Sequence, residues 1–527
     1  MTSATTPAAA QLKRDLLTPG VELIETHISW VFLHGDDVWK VKKPVDLGFL
    51  DFSTSEQRYS ACKAEVHLNR RLAPHVYQGC VPIVRDADGR YRIDEPGEPV
   101  DWAVHMVRLP EDRRADALLA AGRLEAAHVD RIAERVAAFH AEARADEETA
   151  RYGTAEAIAV NVRENFRQTR DRIHELVTAE QAAEIEDWQR RFLEDHGDLF
   201  AARVEAGRVR DGHGDLRLEH VYLDADRVTI VDCIEFNQRF RFADVCADVA
   251  FLAMDLTWNG RVDLAERFLA TYARAANDFE LYRLIDFYES YRAFVRGKVS
   301  TMLALDAGAD HAVRERAARE ARRYFLLALA SERRSLWPPA VIAVGGWIAA
   351  GKSTLAAGLA GELAAPVVDS DRTRKSLLGV APEARLDESP WQGAYSRQST
   401  ERVYAEMLRR AGAVVSSGRT VVLDASFRGR EQRAAARRLA REHGVPFYFV
   451  ECRADPDVCR ERLARRDRER RVTDGRIEIF DEFRERWESV DELPARAHLE
   501  CDTARPDCVE KVLAWIPEAA SRQVPAV

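Results

Sequence analysis

The sequence predicts two successive units: a two-lobed α+β unit over residues 1–335, then an α/β unit with a parallel sheet over residues 338–527. Three observations predict this. Residues 21–110 mix short strand-like runs with turns, whereas 111–205 and 244–334 are rich in Ala, Glu and Arg with a helical period. Strands first and helices later fit a small sheet-rich lobe (about 20–108) joined to a larger helical lobe (about 109–335). Ser335-Leu336-Trp337-Pro338-Pro339 then breaks a helical stretch that runs from Asp310 to Arg334, which puts a boundary near Trp337. Beyond it, the apolar run Ala340 to Val344, a glycine-rich turn and an Ala/Leu-rich stretch from Thr354 to Leu363 read as strand, loop and helix.

Composition bounds the rest. At roughly 100–200 residues per domain, 527 residues allow two to four domains, and 46% hydrophobic with 31% charged residues describes a globular chain. Lys+Arg 78 against Asp+Glu 88 gives −10, which argues against general coating of nucleic acid and leaves a local basic patch open. None of the eight cysteines forms C-x-x-C, so Cys452, Cys459, Cys501 and Cys508 are expected to be ordinary thiols. There is no secretory pattern and no apolar run of roughly 20 residues, so the expectation is a cytoplasmic protein with no membrane span. The sequence carries no signal of oligomeric state.

In the first unit, Val38-Trp39-Lys40-Val41-Lys42-Lys43 reads as a strand after the turn His34-Gly35-Asp36-Asp37. Lys40 and Lys42 share one face by the period of two. Lys42 fits V-A-I-K spacing best as the phosphate-binding lysine, with Lys40 second. Glu65, in the helical run Gln57 to Leu72, is the candidate carboxylate partner, and Met106 follows a strand where the lobes would hinge around an adenine. His213-Gly214-Asp215-Leu216-Arg217-Leu218-Glu219-His220 has the spacing H-x-D-x-x-x-x-N with His in last place. Val228-Thr229-Ile230-Val231-Asp232 is an apolar strand closing on a carboxylate. Phosphoryl transfer uses one loop aspartate to receive a hydroxyl proton and one strand-end aspartate to grip Mg²⁺. The i, i+4 spacing of Asp244 and Asp248 allows a metal pair, but a structural role is expected, one of them holding the catalytic-loop backbone.

In the second unit, Gly346-Trp347-Ile348-Ala349-Ala350-Gly351-Lys352-Ser353 satisfies G-x-x-x-x-G-K-[ST], with Thr354 following. Glycines let backbone N–H groups wrap a phosphate, the helix N-terminus adds its positive end, Lys352 neutralises charge and the Ser353 hydroxyl suits Mg²⁺. Asp371 follows the strand at Val367-Val368 and is placed to accept a hydroxyl proton, or to cap the next helix; Arg374 is placed to hold an anionic substrate. Asp424 ends the apolar strand Thr420–Leu423 and suits Mg²⁺ or substrate. Arg462, Arg465, Arg466, Arg468, Arg470 and Arg471 form either a solvated charged helix or a lid that closes over phosphate.

About residues 338–515 resemble the small P-loop kinases: polynucleotide 5′-kinases, gluconate-type kinases and zeta-toxin-type kinases. That resemblance implies Asp371 as base, Arg374 as substrate-binding residue, and Arg466 and Arg470 as lid arginines. The 213–232 constellation resembles the aminoglycoside phosphotransferase family, which shares the protein-kinase-like fold. It implies Asp215 as catalytic base, Asp232 as metal ligand and His213 as loop anchor. Ala137-Ala138-Phe139-His140, Ile234-Glu235-Phe236-Asn237 and Phe251 to Leu256 resemble a branch of it that is sometimes fused to a P-loop kinase. Two departures stand out: His220 replaces the metal-binding Asn, and no Gly-rich nucleotide-covering loop is evident. Either His220 binds no metal, or a softer ion such as Mn²⁺ is accepted, or Glu235 or Asn237 supplies an oxygen. The expectation is an ATP- and Mg²⁺-dependent phosphotransferase with two kinase modules acting on hydroxyls of small molecules. Two alternatives stand beside it: a P-loop kinase regulated by a silent kinase-like ligand-binding domain, and a nucleic-acid or nucleotide-sugar kinase effector.

Overall fold

The structure, a computed structural model, describes residues 7–26, 28–46, 50–306, 308–329, 336–384, 386, 391–466 and 477–521. Contacts divide the chain into two compact units: Met1–Asn259 with Tyr288–Leu329, and Gly260–Phe287 with Ala330–Val527. The boundary expected near Trp337 is thus crossed by one segment, residues 260–287, which groups with the second unit.

The first unit opens on a helix, α1 (Pro7–Leu16), and an antiparallel sheet of six strands: β1 (Glu22–Glu25), β2 (Ser29–His34), β3 (Asp37–Lys42), β4 (Tyr77–Arg85), β5 (Tyr91–Ile93) and β6 (Pro99–Val107), in the order β1-β2-β3-β6-β4-β5. β2 and β3 form a hairpin in which His34 faces Asp37, and Gly35 takes the turn position with φ +59°. One sheet face packs Trp30, Phe32, Val41 and Ala103 against Ala9, Leu12 and Leu16 of α1. On the other face lies α2 (Ser55–Asn69), started by a capping box: the Thr54 hydroxyl accepts from Gln57 N, and the Gln57 side chain accepts from Thr54 N. That start rotates Glu65 into the interior, where it is 0% exposed. The rest of the unit is mainly helical, including α3 (Ala126–Glu142), the short strand β7 (Val228–Ile230) and α4 (Val245–Trp258), buried along most of its length because its neighbours cover it on all sides.

In the second unit, α5 (Val262–Ala275) precedes an α/β array with β8 (Val341–Gly346), α6 (Lys352–Leu363), β9 (Val367–Asp369), α7 (Ser370–Leu377), α8 (Arg397–Ser416), β10 (Val421–Asp424), β11 (Phe447–Arg453), α9 (Pro456–Arg466), β12 (His498–Asp502) and α10 (Cys508–Ser521). The five strands are all parallel, in the order β9-β10-β8-β11-β12, so the first strand in sequence lies at the centre. Parallel strands covered by helices must be apolar on both faces, and β8 is buried throughout. The 260–287 segment is anchored by charge: Arg419, 4% exposed at its side chain, pairs with Glu266 at 2.8 Å and Asp286 at 3.2 Å. Arg410 donates to the Asn277 side chain at 2.8 Å.

One cysteine expectation is corrected. Cys501, near the end of β12, and Cys508, at the start of α10, have Cα atoms 6.2 Å apart and are joined by a disulfide, because the turn between them folds the helix back onto its strand. Cys62, Cys80, Cys233, Cys246, Cys452 and Cys459 are thiols. Among the described residues, no helix is long and apolar enough to cross a membrane.

Candidate functional sites

In the first unit, β3, α2 and the segment after β7 bring five charged groups together. Lys40 Nζ lies 2.8 Å from Glu65 and 2.5 Å from Asp232. Lys42 Nζ lies 2.5 Å from the other Glu65 oxygen and also pairs with Glu235. Both lysines do leave β3 on the same face. Their environments differ: Lys42 is 1% exposed and enclosed by two carboxylates, whereas Lys40 reaches Asp232, whose side chain is 43% exposed. The geometry places Lys40 beside the strand-end aspartate and Lys42, the lysine expected first from spacing, inside the fold. Glu235 pairs with Lys42. Burial disfavours charge on both lysines, but the carboxylates outweigh it and raise their basicity.

Asp232 sits at φ +67°, a left-handed conformation that is uncommon for any residue but glycine and recurs at functional sites. The loop at 213–220 is held from below by Asp248, whose carboxylate accepts from His213 N at 2.6 Å and Gly214 N at 2.8 Å. Gly212 is required there, since a Cβ would stand 2.4 Å from that carboxylate. Asp244 caps α4 and forms two 2.7 Å bonds with Arg203, so both aspartates are structural, as expected. Burial pulls the His213 pKa down to about 4, leaving a neutral ring; its Nε2–H donates to the Val231 carbonyl at 3.0 Å and fixes the loop. Asp215 is met by Arg217 at 3.1 and 3.2 Å. Burial pushes the Asp215 carboxyl up, and Arg217 with His220 more than reverses this, keeping it ionised. His220 Nδ1–H donates to the Asp215 carbonyl at 2.8 Å, which directs Nε2 towards Asp232, 3.6 Å away. Met106 lies on β6, partly buried against Tyr77 and Val231. Sequence reasoning missed Arg217, although a cation two residues after the loop aspartate was a readable signal.

In the second unit, β8 runs into the glycine-rich loop at the carboxyl edge of the sheet, where open α/β sheets bind ligands. Gly346 takes φ +140°, and a Cβ on it would stand 2.5 Å from the Cys452 carbonyl oxygen. Ala349 and Gly351 also have positive φ, +59° and +88°. The loop is propped from behind by two residues the motif does not include. Thr503 Oγ1 donates to the Ala350 carbonyl at 2.6 Å, and Arg462 donates to the Ala349 and Thr503 carbonyls at 3.2 and 3.3 Å. Arg462 is thus a support in the arginine run; Arg466 ends α9, while the side chain of Arg466 and all of Arg470 lie outside the described residues. Gly346→Ala should push β8 away from β11 and weaken nucleotide binding at this loop at least tenfold in a fluorescent-nucleotide titration; unchanged affinity would refute the reading of its close approach.

Ile348, Ala349, Gly351, Lys352 and Ser353 line a cavity of about 1360 Å³, with Asp369, Asp371, Arg374 and Asp424 on its other side. Lys352 Nζ donates to the Trp347 carbonyl at 2.7 Å, inside its own loop. Trp347 lies beneath Arg484 and Arg453, and Thr354 is exposed on α6. Asp369, not Asp371, caps α7, accepting from Arg372 N at 2.7 Å; Asp371 falls in the first turn and lines the cavity. β9 and β10 place Asp369 beside Asp424 in register. Burial and then the Asp424 charge raise the Asp369 pKa to about 6. A hydroxyl and two adjacent carboxylates form the all-oxygen donor set that suits Mg²⁺.

The raised pKa fixes a pH dependence. The unfolded chain releases the Asp369 proton near pH 4, while the native chain keeps it to about 6. This contribution to stability is therefore full below pH 4 and lost as pH rises from 4 to 6, by about 3 kcal/mol. Asn preserves the helix cap, so Asp369→Asn should gain stability relative to wild type across that window in metal-free denaturant titrations. A difference that stays flat from pH 4 to 6 would contradict it.

The two topologies and their charged clefts define the class: a bilobal protein-kinase-like α+β domain joined to an α/β P-loop kinase domain. Residues 341–490 match the family model of an AAA domain. The chain is 35% identical over 451 residues to the uncharacterized protein Rv2004c of Mycobacterium tuberculosis (strain ATCC 25618 / H37Rv), spanning 85% of this chain and 86% of that protein. An uncharacterized protein of Mycobacterium bovis (strain ATCC BAA-935 / AF2122/97) matches with the same identity and coverage. The chain belongs to the family of these mycobacterial proteins. Among solved structures it is similar to a gluconokinase from Sinorhizobium meliloti 1021, at 21% identity over 36% of this chain and 97% of that one, TM-score 0.27. It is also similar to a choline kinase from Cryptosporidium parvum Iowa II, at 10% identity over 62% and 92%, TM-score 0.37. A third is aminoglycoside 2′-phosphotransferase-IIIa, at 14% over 61% and 98%, TM-score 0.36.

Proposed function

We propose that this protein is a cytoplasmic ATP-dependent phosphotransferase with two kinase modules, over residues 1–335 and 338–527, each acting on a hydroxyl group of a small molecule. The observation that supports it is a lysine near two carboxylates in each unit: Lys40 pairs with Asp232, which His220 links to Asp215, and Lys352, Asp371 and Asp424 line one cavity. Phosphoryl transfer needs positioning and charge neutralisation more than covalent chemistry from the protein. In the first module Lys40, oriented by Glu65, neutralises phosphate oxygens, and Asp215 accepts the acceptor's hydroxyl proton. In the second, the backbone N–H groups of 346–353 and Lys352 cradle the phosphates while Asp371 takes that proton. Ser353, Asp424 and Asp369 would hold Mg²⁺ in the second cleft. In the first, Asp232 and the Nε2 of His220 form a mixed oxygen–nitrogen set that also suits Mn²⁺. The ion supplies charge neutralisation between phosphate groups.

The test is ADP release from ATP over a panel of small hydroxyl compounds, with Mg²⁺, with Mn²⁺ and with chelator. Turnover that chelation abolishes is expected; no turnover together with no metal–ATP binding would end this reading. One observation favours a second reading for the first module, a silent ligand-binding role: Asp215 is already paired with Arg217. A Lys352→Ala variant that binds ATP in the first module but never transfers phosphate would select it.

A further inference from the structure

Part of the lining of the P-loop cavity is a cluster of arginines and aromatic rings. Arg374, Arg428 and Arg486 line the cavity together with Trp391, Tyr404 and Phe483. Arg374 is 7% exposed; one of its terminal nitrogens donates to the Ala394 carbonyl at 2.5 Å, and its buried Nε has no partner. Arg428 lies over the Trp391 ring at 4.5 Å and the Phe483 ring at 5.3 Å, with a buried terminal nitrogen that also has no partner. Arg486 lies over the same Trp391 ring at 4.3 Å and pairs with Glu482 at 2.5 Å. Arg428 feels the charges of Glu482 and Glu488. Burial and the neighbouring Arg486 charge pull the Arg428 basicity below its ordinary value.

The backbone is bent to hold this arrangement. Trp391 has φ +63° and Phe427, directly before Arg428, has φ +48°, both in the left-handed region that bulky side chains avoid. Phe427 is kept there by its N–H, which donates to the Tyr404 hydroxyl at 2.9 Å. Two guanidiniums stacked on one indole, one of them half-buried with a terminal nitrogen that has no hydrogen-bond partner, are favoured when an anion completes the site. Glu482, paired with Arg486, and Glu488, which also lines the cavity, offset part of this positive charge. A guanidinium fork matches phosphate oxygens two at a time, and a phosphate monoester carries close to two negative charges at neutral pH.

We propose that the acceptor of the P-loop module already carries a phosphate monoester, gripped by Arg374, Arg428 and Arg486, while a hydroxyl elsewhere on the same molecule faces Asp371. This rests on the kinase reading above. The hydroxyl oxygen forms a bond to the γ-phosphorus of ATP, the bond from that phosphorus to the β,γ-bridging oxygen breaks, ADP leaves, and the hydroxyl proton passes to Asp371. The product carries two phosphate groups.

Equilibrium dialysis of labelled inorganic phosphate against the full chain, saturated with Mg²⁺ and a non-hydrolysable ATP analogue, tests this without knowledge of the acceptor. The wild type should show a saturable phosphate site. Arg428→Gln and Arg486→Gln should each weaken it at least tenfold and leave affinity for the ATP analogue within twofold. Arg428→Lys, which keeps the charge and removes the fork, should fall between them and the wild type. Ribose 5-phosphate and AMP should displace the label, as two carriers of one group, and ribose and adenosine should not. No saturable site, a site untouched in both Gln variants, or displacement by the uncharged pair would each overturn the proposal. Failure of the wild type to bind the ATP analogue would instead overturn the kinase reading beneath it.

Discussion

Lys352→Ala should cut ATP turnover at the P-loop module by about 1,000-fold, because the loop would lose the only charge its motif contributes to the phosphates. Asp215→Asn should lower turnover at the first module by about 100- to 10,000-fold, the usual worth of a positioned general base. The pair of variants separates the modules. ADP release measured over an acceptor panel should lose one set of active acceptors in Lys352→Ala, the other in Asp215→Asn, and all of them in the double variant. Retention of every acceptor by Lys352→Ala would place all transfer in the first module.

The second result concerns two lysines that the sequence makes look equivalent. Lys42→Met should destabilise the chain by about 3–5 kcal/mol, since it leaves Glu235 buried with no opposite charge and Glu65 with one partner in place of two. Lys40→Met should cost only about 1–2 kcal/mol, because Lys42 still holds Glu65 and water reaches Asp232, yet it should reduce first-module turnover about 100-fold. Chemical denaturation beside a turnover assay on both variants distinguishes the roles. If Lys42→Met is stable and inactive while Lys40→Met is active, the assignment is reversed.

That contrast also shows what could be read from the chain alone. The glycine-rich loop was legible because its logic is local: strand, tight turn, cation and helix occupy neighbouring residues. The role of His213 was legible because it lies in the loop it holds, whereas Asp248 reaches that loop from α4, 35 residues on. How the surroundings of Lys40 and Lys42 differ was not legible, since a period of two puts both on one face. What separates them is a pair of carboxylates, Asp232 and Glu235, more than 190 residues away in sequence. Asp369 as the helix cap was missed by two residues, because Asp369 and Asp371 both satisfy the composition of a cap and only the strand end decides between them. The arginine–aromatic wall of the cavity had no signature at all. Trp391, Phe427, Arg428 and Arg486 come from three separate loops and meet only in the fold. The Cys501–Cys508 bond depends likewise on how a strand end meets a helix start.

The placement of residues 260–287 has a bearing on how the protein comes into being. The second unit borrows Glu266, Asn277 and Asp286 from a stretch translated before the last helices of the first. A polypeptide begun at Trp337 would bury Arg419 with neither of its counterions. On the ribosome, the borrowed stretch must wait, unsatisfied, until Arg419 emerges more than 130 residues later. No single cut in the chain separates the two units with their own residues intact.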